Sequence, residues 1–161
     1  LVQVANPSEI LLSHYDEPLS GIAVGAAVDG VRPYLIETQA LVSGAAYGTP
    51  QRSATGYDTR RMNMLLAVLE KRVGMKMFSK DVFLNFAGGF RISEGVCCAG
   101  EIGLSGEVRP ASRLAQRIAE AARLGFRRIV VSGYMRAETD AVKGIEIIRI
   151  NRIDELPRAV F

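Results

Sequence analysis

The chain has 161 residues, of which 48% are hydrophobic, so it is long enough to bury one compact core. No run approaches the roughly 18 apolar residues of a membrane span. The stretch from Leu1 to Leu12 is interrupted by Asn6, Pro7, Ser8 and Glu9, unlike a signal peptide. We therefore expect a soluble, cytoplasmic protein with no membrane partner.

Arginine greatly outnumbers lysine among the basic residues. The net charge is only +3, but 16 of the 20 basic residues are arginines and four are lysines. An arginine side chain offers a planar fork that binds phosphate through two hydrogen bonds, whereas lysine supplies a point charge. This preference permits binding to a phosphate backbone, although the base composition of a genome can produce it equally well.

Histidine and cysteine are too scarce for several kinds of site. His14 is the single histidine, which excludes a Ser/His/Asp triad that does not use it. We expect it to be an ordinary surface residue. Cys97 and Cys98 are adjacent in an apolar run, so on a strand they would face opposite sides and would not form a disulfide. No Cys or His array has metal-ligand spacing, and we expect no metal site.

The first half of the chain predicts a lead-in, a hairpin, a loop and a helix. Residues 1–20 include a helix start at Pro7 and Ser8. Strands at 21–28 and 31–42 flank Asp29 and Gly30, a strong hairpin signal. Residues 43–57 are rich in Gly, Ser, Thr and Pro, which indicates an exposed loop that carries Arg52 outward. A helix follows from the cap Asp58 to Gly74.

The second half predicts alternating strands and helices. Apolar runs indicate strands, and apolar residues at helical spacing indicate helices. The strands are expected at 81–87, 96–104, 127–131 and 145–150, and the helices at 110–124 and 152–160. The strand, helix and strand from residue 96 to residue 131 form a βαβ unit.

Three stretches together resemble the Lon-type protease fold as it occurs in the RadA/Sms family of DNA-repair ATPases. They are residues 37–74 (ETQALVSGAAYGTPQRSATGYDTRRMNMLLAVLEKRVG), 82–92 (VFLNFAGGFRI) and 100–131 (GEIGLSGEVRPASRLAQRIAEAARLGFRRIVV). The resemblance implies an α+β, α/β-like fold of mixed sheets with flanking helices over residues 21–161. It also implies that residues 1–20 lead in from an upstream ATPase domain.

The same resemblance bears on peptidase activity. Lon-type peptidases carry their catalytic lysine directly after the leucine that corresponds to Leu114, where its amine activates a serine. This sequence has Ala115 there, and alanine cannot move a proton. Arg113 and Arg117 stay protonated and cannot replace the lysine. We therefore expect no catalytic residue in this chain.

The serine is not identifiable either. In the family a stretch of several turns lies between the positions of Ile92 and Gly95, whereas this sequence continues directly through Ser93 and Glu94. Either the natural protein has a deletion, or a mobile segment is missing from the chain near 92–95 and the numbering closes over it. We favour the second explanation, because Ile92 and Val96 would otherwise join two strands that a helix should separate.

The resemblance places nucleotide chemistry outside this sequence. There is no GxxxxGK[ST] phosphate loop, and residues 100–106 lack its lysine and hydroxyl. No cofactor is expected here, while ATP, magnesium and zinc are expected in the upstream domains of the parent protein. The family further implies a hexameric ring, single-stranded or branched DNA as a partner, and replication or recombination proteins as others.

A set of arginines is the candidate DNA-binding surface. Arg52 and Arg61 lead it, and the others are Arg60, Arg91, Arg109 and Arg113. Phosphate contacts by such residues dominate nucleic-acid affinity, but a solvated rim with ion pairs to Asp58 and its neighbours is the alternative. No aromatic platform for stacking bases is evident, since Tyr47 and Tyr57 are the loop's only aromatic residues.

Three hypotheses about function follow. The first is a non-proteolytic scaffold that supports hexamer assembly and DNA binding in a RadA-type ATPase during recombinational repair and branch migration. The second is an active Ser/Lys peptidase domain, and the third is an oligomerisation domain without DNA contact.

Overall fold

A long antiparallel hairpin begins the fold in the computed structural model, which describes residues 20–30, 32–46, 48–87, 95–134 and 142–160. Strand β1 covers Ile22–Asp29 and strand β2 covers Arg32–Gly44, paired residue by residue. Gly30 has a φ of 57° at the turn, a conformation that glycine adopts without strain. The predicted hairpin at Asp29 and Gly30 is confirmed.

Seven of the strands within those ranges form one mixed sheet. The strands that follow the hairpin are β3 (Arg52–Thr55), β4 (Lys80–Ala87), β5 (Val96–Ala99), β6 (Glu101–Ile102), β7 (Val108–Arg109), β8 (Arg128–Ser132) and β9 (Glu146–Ile150). The large sheet has the order β3-β4-β2-β1-β5-β8-β9, and β6 and β7 form a separate antiparallel pair. Parallel pairs join β3 to β4, β1 to β5, β5 to β8 and β8 to β9.

In the described part of the chain, three α-helices pack against the sheet. Helix α1 covers Thr59–Val68 and continues as a π-helix over Leu69–Val73, which ends at Gly74. Helix α2 covers Leu114–Arg123, and a 3-10 turn at Ile153–Glu155 leads into helix α3 at Leu156–Val160. The helices predicted near residues 58–74 and 152–160 are confirmed, as is the βαβ unit, because β5 and β8 pair in parallel with α2 between them. The fold is a mixed α/β arrangement that is compatible with the predicted α+β class.

Helices α1 and α2 lie on opposite faces of the sheet and over different strands. Helix α2 buries Leu114, Ile118 and Ala121 against β1, β2, β5 and β8, in a cluster that includes Phe126. Helix α1 instead covers β3 and β4 through Met62 and Leu66. Each helix therefore completes a separate apolar core.

The two cysteines show how the strands alternate between these faces. Cys97 is fully buried in the α2 cluster, while Cys98 packs in a third cluster with Val130, Ile150 and residues of α3. Their predicted opposite orientation is confirmed. Burial, with a smaller contribution from the charge of Cys98, raises the pKa of Cys97 to about 12, and burial also raises the pKa of Cys98. Both thiols therefore stay protonated near neutral pH.

The loop predicted over residues 43–57 is wrong in part. Strand β2 extends to Gly44, and residues 52–55 form strand β3, which pairs in parallel with β4. The composition of the segment is typical of loops, but β4 offers a free edge whose backbone groups β3 satisfies. Sheet pairing thus overrides local propensity, and Arg52 begins a strand.

Two other boundaries differ from the prediction. The strand expected over residues 96–104 ends at Ala99, and β6 then pairs with β7 in a small hairpin. The helix expected from Pro110 begins four residues later, because Arg113 adopts a left-handed conformation with a φ of 55°. The chain cannot be helical before that residue.

Some predictions fall outside the described residues. They are the helix start at Pro7 and Ser8, the surface position of His14, the position of Arg91, and the segment expected to be missing near residues 92–95. In the ranges that the structure covers, no helix is long and apolar enough to cross a membrane. No group of three or more His, Cys, Asp or Glu side chains in those ranges could hold a metal ion.

Candidate nucleic-acid interface

The start of α1 is fixed by a side-chain cap. Asp58 Oδ1 accepts a hydrogen bond of 2.8 Å from the backbone N–H of Arg61, and this satisfies one of the free amides of the helix N-terminus. Met62 and Leu66 bury the opposite side of the helix. Arg60 and Arg61 remain exposed. The Asp58 carboxylate is therefore engaged with the backbone.

Three planar groups lie together beside this helix start. The rings of Tyr57 and Phe86 are stacked, with centroids 4.8 Å apart and planes 11° apart. The central guanidinium carbon of Arg61 lies over the Tyr57 ring, 6.0 Å from its centroid, at the outer limit of a cation–π contact. We call Phe86, Tyr57 and Arg61 the planar stack.

A glycine allows the planar stack to form. Gly56 joins β3 to Tyr57 with a φ of 73°, and a Cβ there would lie 3.1 Å from the Cβ of Phe86. Any other residue would be strained by its φ and would press on the strand that carries Phe86. Gly56 thus sets how closely the Tyr57 ring approaches its neighbour.

A groove of about 500 Å³ separates α1 from the β6–β7 hairpin. Its α1 wall is formed by Tyr57, Arg61, Met64, Leu65 and Val68. Its hairpin wall is formed by residues 100–105, Glu107 and Arg109. Met64 is 47% exposed at the groove, and Leu104 is 69% exposed. The groove thus combines apolar side chains with one arginine on each wall.

The negative charge of the hairpin wall is partly compensated. Arg109 Nε donates to Glu107 Oε1 over 2.9 Å, and its Nη2 forms an ion pair with the same oxygen. The backbone N–H of Ser105 donates to Glu107 Oε2 over 3.1 Å. Hydrogen bonding from its own backbone and from Arg109 lowers the pKa of the Glu107 carboxyl. A Cβ at Gly103 would collide with this carboxylate, so glycine lets the hairpin close around it.

Arg52 does not line the groove. It is half-buried at the start of β3, where its Nη2 donates to the carbonyl of Met77 over 3.2 Å. Its Nε is buried and has no hydrogen-bond partner among the described residues. The predicted position at an exposed loop tip is therefore wrong, because β3 draws the residue onto the sheet. The structure brings Arg61 together with Arg109 instead.

The arginines near the start of α2 tie this helix to the β1–β2 hairpin. Arg113 Nη1 donates to the carbonyl of Gly30, and Arg117 Nη1 donates to the carbonyl of Ala26. Arg117 Nε also donates to the carbonyl of Ser112 over 2.8 Å. Burial lowers the pKa of the Arg117 guanidinium. Ala115 lies half-buried in the first turn between these two arginines.

The sequence patterns did not predict the planar stack or the hairpin wall of the groove. The sequence did not indicate that Tyr57 stacks on an aromatic ring, because Phe86 reaches it from a different strand. One signal was available: Tyr57 precedes the cap Asp58, and Met62 is the fourth residue of the helix, the spacing of a hydrophobic staple. Tyr57 does pack with the cluster of Met62. Nothing local links residues 100–109 to α1.

Several known proteins that are similar to this chain carry the same name, DNA repair protein RadA. The chain is 38% identical to the DNA repair protein RadA of Bacillus subtilis over 98% of this chain and 39% of that protein. It is 40% identical to the protein of the same name from Halalkalibacterium halodurans, over 96% of this chain and 39% of the relative. It is 37% identical to the DNA repair protein RadA of Synechocystis, over 93% of this chain and 34% of that protein. No protein-family model matches the chain.

The chain spans about two fifths of the length of these relatives. The aligned stretches are 180 and 177 residues long, more than the 161 residues of this chain. The relatives therefore contain residues with no counterpart here. Nearly the whole chain is related to a part of the RadA DNA repair proteins, which confirms the family resemblance predicted from its motifs.

Proposed function

We propose that the chain is a non-proteolytic, Lon-like scaffold module of a RadA-type DNA repair ATPase, and that it contacts DNA and supports assembly of a hexameric ring during recombinational repair and branch migration. Relatives named DNA repair protein RadA, similar over almost all of this chain, support a role in DNA repair. ATP and magnesium, and a zinc site, would belong to other parts of the longer protein. A role on chromosomal DNA would place that protein in the cytoplasm.

The observation that carries DNA contact is the free guanidinium of Arg61. Within the described ranges its side chain makes no hydrogen bond or ion pair, and its one contact is with the Tyr57 ring. The alternative, in which Asp58 pairs with it, loses support because no ion pair joins Arg61 to Asp58 in the part of the chain that the structure describes. Arg60 is exposed beside it, and α1 adds the partial positive charge of its N-terminus. Phosphate is the natural ligand for such a surface.

The other arginines of the candidate set support this proposal to different degrees. Arg109 is exposed on the facing wall of the groove, although it is paired with Glu107. Arg52 and Arg113 donate to backbone carbonyls, so each also stabilises the fold. Arg91 stays in the proposed set on the family resemblance alone.

The position of the residues absent from this chain is a further part of the proposal. Strands β4 and β5 point in the same direction, with β2 and β1 between them. Only eight residues separate Ala87 from Val96, whereas crossovers between parallel strands usually need about 10–12 residues or more. We place the extra residues of the relatives near 92–95.

Replication or recombination proteins would be further partners of the ring.

Ring assembly and DNA contact are separable by experiment. Subunits of a ring motor share its rotational symmetry, so a module repeated in each subunit is placed around the same axis. In a gel-shift assay at low salt we expect the chain to retard single-stranded DNA. Retardation by a ring-forming protein supports the scaffold that contacts DNA. A protein that assembles in sedimentation but never retards DNA would be the oligomerisation domain of the third hypothesis.

The chain is expected to have no peptidase activity. Ala115 stands where the resembling peptidases have a lysine, so no group there can activate a serine. Casein and fluorogenic peptides should remain uncut, and Ala115→Lys should not restore cleavage because no serine partner is identified. Cleavage by the unchanged chain that a serine-directed covalent inhibitor abolishes would contradict this expectation and favour the peptidase hypothesis.

A further inference from the structure

We propose that the groove between α1 and the β6–β7 hairpin binds an unpaired nucleobase, which stacks on the guanidinium of Arg61. This inference rests on the proposed DNA contact and adds to it. It makes the groove a site for single-stranded nucleic acid, bound through a base as well as through phosphates.

The planar stack supplies the surface for the base. Phe86 and Tyr57 are nearly parallel, and the guanidinium carbon of Arg61 lies over the Tyr57 ring, so a third planar group adjoins the pair. A guanidinium is flat, delocalised and weakly hydrated, so nucleobases stack on it as they do on aromatic rings. Arg61 lines the groove and is exposed, and its side chain has no polar partner in the described part of the chain. The exposed end of the planar stack is therefore available to a ligand.

The other side chains of the groove can contact the remaining parts of a nucleotide. Leu65 and Val68 give an apolar floor, and removal of a base face from water against such side chains is favourable. Arg109 stands on the other wall with 63% of its side chain exposed, where it can meet a phosphate. A volume of about 500 Å³ falls within the range of pockets that enclose small organic ligands.

The same contacts explain why the site should accept any base. Two carboxylates line the groove, Glu101 and Glu107, and both oxygens of Glu107 are engaged by Arg109 and by the Ser105 backbone. Stacking itself is tolerant of sequence because every base has a flat face. In a duplex the bases are paired and stacked inside the helix, so none can enter the groove without being unpaired.

The test compares ordinary and abasic DNA with the full chain. Binding of a labelled ten-nucleotide oligothymidylate and of an abasic oligomer of equal length is measured by fluorescence anisotropy, because both have the same phosphates. We expect the wild-type chain to prefer the oligothymidylate about fivefold or more. Arg61→Lys, which keeps the charge but removes the plane, should abolish most of this preference. The matched control Arg127→Lys, at an exposed arginine that does not line the groove, should leave it unchanged.

The outcomes separate the inference from the proposed function. Equal binding of both oligomers by the wild-type chain would overturn base stacking while leaving phosphate contact intact. Loss of the preference in Arg127→Lys to the same degree as in Arg61→Lys would also overturn it. If neither oligomer binds, DNA contact itself fails. In that case a change in sedimentation of Arg61→Lys relative to the wild-type chain would assign the groove to contact between copies of this chain.

Discussion

Removal of both arginines at the start of α1 is expected to weaken DNA binding and to lower its salt dependence. Each phosphate contact on a single strand contributes about 0.7 to the slope of log K against log salt. The double variant Arg60→Ala/Arg61→Ala should therefore reduce the magnitude of the slope by about 0.7 if Arg60 alone contacts a phosphate, and by about 1.4 if the edge of the Arg61 guanidinium contacts one as well. The loss should be similar for oligonucleotides of different base sequence. A salt titration by fluorescence anisotropy measures both quantities.

The control for this double variant removes the same charge elsewhere. Arg127 and Arg158 are exposed, and Arg158 lies on α3, which packs at the β8–β9 side of the sheet. Arg127→Ala/Arg158→Ala should leave the slope almost unchanged. An equal fall of the slope in both double variants would mean that net charge, not the start of α1, determines binding. Circular dichroism verifies that each variant is folded.

The second large effect concerns stability. Phe126→Ala should lower the free energy of unfolding by about 3–5 kcal/mol, because it removes a buried aromatic side chain and leaves a cavity. Phe126 is 2% exposed in the cluster that α2 forms with the sheet. The matched control is Phe78→Ala at a 66% exposed side chain, where a change within about 0.5 kcal/mol is expected. Urea unfolding measures both variants. Equal losses would mean that the apolar core does not lie under α2.

Elements with strong local signals were predictable from the sequence. Asp29 and Gly30 determine their hairpin because few other residues adopt the required backbone conformation. Asp58 and Gly74 mark the start and end of a helical segment for comparable reasons. The parallel pairing of β5 with β8 follows from the apolar periodicity of the residues between them. In each case the physical cause lies in elements that follow one another along the chain.

Elements that depend on distant partners were not predictable. Strand β3 has the composition of a loop and exists because β4 offers it a parallel edge. For the same reason Arg52 is half-buried, although it was expected at an exposed loop tip. The break at Gly100 depends on the pairing of Glu101 with Arg109, which a continuous apolar run does not reveal.

The candidate site shows the same division. Arg60 and Arg61 were identified from their place in the first turn of a capped helix, which is local information. The planar stack joins residues 57 and 61 to residue 86, and the groove adds residues 100–109. Only the packed sheet brings these segments together. Sequence alone therefore identified individual cations but not the surface to which they belong.

The most direct test of this account locates the DNA on the protein. The chain is cross-linked by ultraviolet light to single-stranded oligothymidylate, and the attached peptides are identified by mass spectrometry. We predict cross-links in residues 57–68 and 100–109, the two walls of the groove, and their loss when unlabelled oligothymidylate competes. Cross-links confined to other surfaces, such as α2 or α3, would contradict the assignment of the DNA-contacting surface to the start of α1.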